Sequence, residues 1–515
     1  ELPRLLWIAL GVLYFAVRLP ALYRFGFDLD EAVTATLAHR PWPAVLGLVR
    51  AEDMHPPLFP LLLAPLRWLT ADDAILRALP LLLGFGALGA TVRLARRIGG
   101  PWPGYIAGVL FALSPYAIQH TTLLRLFALA AWTATAAFDA ALAWWTGDGL
   151  DRGGRWRYAL WMAAAAYTFY LALPVWLAVA LVGLFVVRGG ERWRWIGYNA
   201  LAAALFLPWV PALLAQWIRL RADRSQTLLD LPAGEQWAAI QRAFLKLPNA
   251  LFTWMAPIPD PVARALWIAL PVLMITGLVL LRRQSMAVPP ATEPLQGFNT
   301  PSSAGAGGGL PAAILLALTV YLALALIGAV YLPRNVDFAG RYFIVVVPAL
   351  WAILATSYLT LPRPVGLAAL AVLLALDVAA MVRPVRPPVA GFREAAHLLQ
   401  ETAAPGAPVW VIARFCEIPL EHYWPEGAVQ IVGQPDFRPM EEASVSAVMQ
   451  QLRLLDQAGP PPEIWMAVSH NQRGRSFRGG WELTDFLEYQ FGPPTGEWQL
   501  PGVELYRFAW NPQQH

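Results

Sequence analysis

The chain has 515 residues, 57% of them hydrophobic and only 14% charged, where a soluble globular protein carries about 25% charge. Its formal net charge of +4 is carried by arginine, with Lys246 the only lysine, and so small an excess spread over many loops excludes a dedicated nucleic-acid binder. The single cysteine, Cys416, excludes an internal disulfide, and no CxxC or His/Cys cluster has structural-metal spacing. The composition is that of a polytopic α-helical membrane protein.

A window of about 20 residues, the length needed to cross a bilayer, predicts apolar spans near 4–24, 76–96, 103–119, 122–145, 157–171, 173–188, 195–217, 264–281, 311–332, 342–361 and 365–382, about eleven in all. The first, "LLWIALGVLYFAVRLPAL", has no small-residue cleavage site, so we expect a transmembrane helix there and not a signal peptide. Only Pro174 separates the fifth and sixth spans. "HPPLFPLLLAPLRWL" at 55–69 is short for a span and reads as a helix lying in or dipping into the interface, within one long loop from 25 to 75.

Arg-rich short loops stay in the cytoplasm. "RLARRIGG", "GDGLDRGGRWR", "RGGERWR" and "RRQS", at 93–100, 147–157, 188–194 and 282–285, all fall on one side of this arrangement. Loops 25–75, 218–263 and 333–341, and everything after 383, are then extracytoplasmic. The Pro-, Gly- and Ser-rich stretch 286–311 reads as a flexible cytoplasmic linker. From 388 to 515, amphipathic helical stretches ("FREAAHLLQETA", "EASVSAVMQQLRLLDQA", "ELTDFLEYQF") alternate with short β-rich runs ("PVWVIA", "EIWMAVS", "GEWQLPGVELYRFAW"). That pattern predicts a small extracytoplasmic α/β domain after a transmembrane domain spanning 1–385, and without GxGxxG or P-loop it is assigned no nucleotide.

Candidate chemistry gathers on the outer side. "DLDEA" places Asp28, Asp30 and Glu31 where the chain leaves the first span. A structural reading has Asp30 capping the helix "DEAVTATLAHR" and Glu31 complementing its dipole, which explains two acids better than three. An ionised aspartate in a membrane-protected cleft can also accept a proton from a hydroxyl. A divalent ion, if one is used, would fall to Asp28 and Asp30. "AEDMHPP" adds Glu52, Asp53 and His55 in the same loop, with an interfacial anchor as the bland alternative for the histidine. "LPRNVDFAGRYF" supplies Arg334, Asn335, Asp337, Arg341 and Tyr342, either interface anchors or a phosphate clamp, since Arg grips phosphate oxygens bidentately. "SPYAIQHTTLLRLFAL" puts His120 and Arg125 at an outer turn, whereas Asp139 and Asp377 lie within spans with no partner visible in sequence and read as packing or hydrogen-bonding groups.

The succession "LDEA", "HPPLFPLLL", "SPYAIQHTTLLRLFALAAW", "AYTFYLALPVWLAVALVGLFVV" and "GRYFIVVVPAL" resembles the GT-C integral-membrane glycosyltransferases, in particular the bacterial branch related to protein O-mannosyltransferases and the aminoarabinose transferase of lipid A. The likeness runs through most of 1–385. It implies an inverting transferase acting outside the cytoplasm on a polyprenyl-phosphate sugar, in the cell membrane, with a lipid, glycan or protein acceptor. It implies Asp30 as general base with Glu31 beside it, His55 near the donor phosphate, and Arg341-Tyr342 as the "RY" pair of a late span. Arg125, Asp28 and Arg334 complete the substrate-binding set. Many relatives read Glu-Ala-Arg-x-Tyr where this chain has "LLRLF", so Arg125 stands without the acid and with Phe127 in place of tyrosine. The rival class is a transporter or lipid flippase, which would show internal repeats and midplane charges on broken helices; a scaffold is a weaker third.

Overall fold

The structure is a computed structural model that describes residues 2–51, 53–147, 151–222, 304–331, 340–358, 362–382, 391–405, 407–412, 417–424, 431–433, 461–469 and 488–510, with a few isolated positions besides. Two compact units make up the chain. The first comprises Glu1–Ala21, Pro41–Thr70 and Ile75–Arg383; the second comprises Leu22–Arg40, Ala71–Ala74 and Pro384–His515.

The first unit is helical. Its elements run α1 (Leu2–Arg24, whose last turn enters the second unit), α3 (Trp42–Ala51), α4 (Leu58–Leu69), α5 (Asp73–Gly99), α6 (Pro101–Leu113), α7 (Pro115–Thr122) and α8 (Phe127–Thr146). They continue with α9 (Arg152–Thr168), α10 (Ala172–Val186), α11 (Gly190–Phe206), α12 (Val210–Ala222), α13 (Ala304–Tyr331), α14 (Val347–Tyr358) and α15 (Arg363–Val382). Among the described residues, four stretches are long and apolar enough to cross a membrane: Pro3–Tyr23, Asp73–Gly99, Phe127–Thr146 and Gly190–Arg219. Seven shorter apolar helices accompany them among the described residues.

Several boundaries differ from the hydropathy reading. The segment 103–119 is two helices, because Pro115 has no N–H to continue α6 and Ser114 instead caps α7 by accepting from the Ala117 N–H at 3.4 Å. The break between α9 and α10 falls at Phe169–Leu171, ahead of Pro174, which sits harmlessly in the first turn of α10. The segment from 342 begins as a 3₁₀ stretch, Gly340–Val345, before α14. Helix α13 starts at Ala304, so residues 304–311, counted with the linker, are helical: an Ala/Gly run joined to an apolar helix extends it one hydrogen bond at a time. The expected span 264–281 and the rest of the linker lie outside the described residues.

Arg18 explains how the α6–α7 break is stabilised. Its guanidinium is fully buried, donates to the Ala112 and Phe111 carbonyls at 2.8 and 3.1 Å and to Thr121 Oγ1 at 2.9 Å, and lies 4.0 Å from the Tyr14 ring centre. Those carbonyls end α6 with no helical N–H to accept, so a charged donor there satisfies orphan groups and itself. Elsewhere in the unit, Arg97 Nε reaches Asp139 Oδ1 at 2.9 Å, and Arg155 Nη2 meets both Glu191 oxygens at 2.9 and 3.1 Å. Asp139 therefore has a partner that no linear reading could supply.

The second unit holds a five-stranded sheet in the order β2-β1-β3-β5-β4: β1 (Val409–Ile412), β2 (Ile431–Gly433), β3 (Glu463–Ser469), β4 (Gly496–Leu500) and β5 (Val503–Ala509). β1 pairs parallel with β2 and β3, and β5 pairs antiparallel with β3 and β4. Helix α16 (Phe392–Thr402) lays Phe392, Ala395, Ala396 and Leu399 on Val409, Val411, Trp465 and Leu505. The β-rich runs noted in the sequence form β1, β3, β4 and β5, and the first amphipathic stretch forms α16; β2 and the six-residue α17 (Glu417–His422) were not anticipated. Of the other two expected helices, 442–458 lies outside the described residues apart from isolated positions, and the other is described only at its helical end, 488–491. α2 (Leu29–Ala38) belongs to this unit and packs on α17.

Candidate functional site

In the second unit, the three acids after α1 have different duties. Asp28, not Asp30, is the N-cap of α2: its Oδ1 accepts the Glu31 N–H at 2.8 Å, and Glu31 Oε2 accepts the Asp28 N–H at 3.2 Å. This reciprocal capping box holds Glu31 fully buried. Asp30 is not part of the capping box; its backbone carbonyl accepts from Thr34 Oγ1 at 2.8 Å, and the residue is half-buried in the first turn.

In the first unit, residues from four separate segments meet. His55 Nδ1 lies 2.9 Å from Asp53 Oδ1, and the same oxygen accepts the His55 N–H at 3.1 Å and the Met54 N–H at 2.6 Å. With Nδ1 donating to the carboxylate, Nε2 is left for a ligand. The His55 ring stacks at 6.3 Å on Phe169, from the α9–α10 break. Phe169 also meets Phe127 at 6.2 Å and Tyr342 at 6.4 Å, and Phe127 carries the His120 ring edge-on at 5.0 Å. Arg341 lies 5.6 Å from the Tyr342 ring.

Electrostatics link the same groups. Burial pushes the Asp53 carboxyl up, but His55 and then Arg125 outweigh it and hold the group below its ordinary value. Burial, with the neighbouring Arg341 charge, pushes His120 down to about 3, so this imidazole stays neutral. The result is a site with two guanidinium groups, one oriented imidazole and one neutral imidazole around an aromatic centre, a composition suited to an anion attached to an apolar chain.

Of the residues singled out in sequence, His55, Arg125, Arg341 and Tyr342 thus share the first unit's aromatic and electrostatic cluster, while Asp28, Asp30 and Glu31 belong to the second unit. Arg334, Asn335, Asp337 and Glu52 lie outside the described residues. Among the described residues no group of three or more His, Cys, Asp and Glu side chains is arranged to hold a metal ion.

No protein-family model matches the chain, and no curated protein matches it in sequence. Solved structures do match. ArnT from Cupriavidus metallidurans bound to undecaprenyl phosphate is 14% identical over 98% of this chain and 97% of its own, with a TM-score of 0.43. Arabinofuranosyltransferase AftD from Mycobacteria is 15% identical over 99% of this chain and 42% of its own, at 0.44. The archaeal oligosaccharyltransferase AglB from Archaeoglobus fulgidus, in complex with an inhibitory peptide and a dolichol-phosphate, aligns with 100% of this chain and 75% of its own at 11% identity, with a TM-score of 0.50. The chain has the GT-C glycosyltransferase fold.

Within that fold the cluster of the first unit includes groups that sequence reasoning passed over. Asp53 stands in the sequence beside His55 with no role of its own, although an acid two residues before a histidine is spaced to grip its Nδ1. Phe169 looked like one more apolar residue of a span; only its place in the α9–α10 break brings it beside His55. Phe127, noted in the sequence beside Arg125, faces His120 and Phe169 with a ring that donates no hydrogen bond.

Proposed function

We propose that this protein is a membrane glycosyltransferase that moves a sugar from a polyprenyl-phosphate donor to an acceptor hydroxyl on the extracytoplasmic face, with inversion. The observation that carries the reading is the convergence of Arg125, Arg341 and the Asp53-oriented His55 on one aromatic cluster in a GT-C fold. The contributing residues, at 53–55, 120–127, 169 and 341–342, fall in outer loops or at the outer ends of spans as the arginine pattern orients them. No nucleotide sugar is supplied there, so a lipid phosphate is the sensible leaving group.

Asp30 would take the proton of the acceptor hydroxyl as its oxygen attacks the anomeric carbon. The bond to the phosphate oxygen breaks on the opposite face, which inverts the configuration. Arg341 and Arg125 would stabilise the departing phosphate charge, with His55 Nε2 contacting it. Glu31 supports this role from the capping box, and Tyr342 supplies ring surface beside Arg341.

Undecaprenyl phosphate is the probe for the clamp. Arg341→Ala and Arg125→Ala should each weaken its binding about tenfold or more, in line with a charge-assisted hydrogen bond worth roughly 1.5–3 kcal/mol. Unchanged affinity in both folded variants would remove the clamp.

A further inference from the structure

The second unit contains a polar cluster that neither the fold nor the proposed chemistry has used. Asp73, at the start of α5, is only 6% exposed, and three groups from the C-terminal part of the chain surround its carboxylate. Tyr423 Oη donates to Oδ2 at 2.5 Å, the Arg393 guanidinium pairs with the same oxygen, and His422 Nε2 lies 3.5 Å from Oδ1. Tyr423 Oη also accepts the backbone N–H of Phe27 at 2.6 Å. Phe27 directly precedes the N-cap of α2, is fully buried, and has its ring 5.1 Å from that of His422.

One hydroxyl therefore ties three chain segments together: the exit of α1, the entry to α5, and the turn after α17. Burial, reinforced by the adjacent Asp73 charge, pushes the Tyr423 phenol up, so it remains the proton donor of this junction. The bond to Phe27 fixes the backbone immediately before the capping box, and α2 itself lies on α17. The first turn of α2, which carries Asp30, is thus clamped from the C-terminal segment at its N-cap and along its length.

We infer that Tyr423, with Asp73, Arg393 and His422, is a positioning assembly for the first turn of α2, so that residues 384–515 are an obligatory part of the transferase and not an appendage. The inference rests on Asp30 acting as base. A misplaced base of this kind costs rate without altering donor affinity.

The test is Tyr423→Phe in the full chain, which keeps the ring and removes both hydrogen bonds. Turnover of a radiolabelled polyprenyl-phosphate sugar, undecaprenyl phosphate affinity and amide exchange over 26–35 are measured beside Asp30→Asn. The expected result is a fall in kcat of about tenfold or more per folded molecule, faster exchange at Phe27 to Glu31, and unchanged affinity. A merely structural tyrosine would lower Tm and yield but leave kcat per folded molecule at the wild-type value, and that outcome overturns the inference. If Asp30→Asn is inactive while Tyr423→Phe turns over normally, only the positioning role fails; if Asp30→Asn turns over normally, the base assignment fails with it. Should Tyr423→Phe not fold, Arg393→Gln, which removes the charge that holds the Asp73 carboxylate beneath Tyr423, is judged by the same three readouts, and an unchanged kcat per folded molecule overturns the inference.

Discussion

Asp28 and Glu31 satisfy each other's backbone N–H groups, and this leaves Asp30 as the acid of the trio that helix capping does not account for. The cluster was legible in sequence as chemistry near a membrane surface, but the cap was assigned two residues too late, because Asp30 and Asp28 are equally good N-cap residues and only the backbone decides between them. His120 shows the opposite: its neighbours Tyr116, Phe127 and Arg341 come from one local and one distant segment, and no linear pattern states that it is buried. That burial makes a stability prediction. Its folded pKa, about 3, lies below the ordinary value of 6.5, so below pH 6.5 the unfolded chain binds the proton first. Stability from this group is complete above pH 6.5 and falls as pH drops toward 3, by at most about 1.4 kcal/mol per pH unit. Detergent melting of wild type and His120→Gln between pH 7.5 and 4.5 should show the wild type losing more; parallel curves would contradict a buried neutral imidazole.

Helices rather than their ends were the legible elements. Hydropathy finds apolar stretches, but it does not register that Ser114-Pro115 ends one helix and starts another, or that the chain kinks at Phe169–Leu171. Phe169 lies in the second break, and His120 in the last turn of the short helix that the first break starts. Close packing likewise escapes a hydropathy profile. Gly183 in α10 lies against the buried Trp195 of α11 so tightly that a Cβ there would fall 2.2 Å from the indole, whereas Gly197 has nothing within 4 Å of its would-be Cβ. Gly183→Ala should therefore cost about 1–3 kcal/mol, the usual range for overpacking. Gly197→Ala should be neutral or slightly stabilising, as expected for an exposed helical site. Equal melting temperatures for the two would refute the contact.

At the scale of the first unit, side-chain contacts join segments far apart in the chain. Residues 53–55, 120–127 and 341–342 meet around Phe169, and Arg155 of one Arg-rich loop pairs with Glu191 of the next. The general GT-C likeness was legible because it rests on the order of several weak motifs along the chain. The joining of 22–40 and 71–74 to 384–515 was not, since it depends on hydrogen bonds between residues hundreds of positions apart. Sidedness can be read by labelling in a Cys416→Ser background: Met54→Cys should react with an impermeant maleimide in intact cells, and Trp193→Cys only after permeabilisation. The reverse pattern would invert the proposed topology.

The central claim is glycosyl transfer from a lipid phosphate with Asp30 as base. Its most direct test incubates purified protein, wild type and Asp30→Asn in parallel, with a panel of radiolabelled polyprenyl-phosphate sugars. Wild type should release label from one donor, to an acceptor or to water, and folded Asp30→Asn should release none. No release from any donor by folded wild type, or equal release by both proteins, would contradict the account.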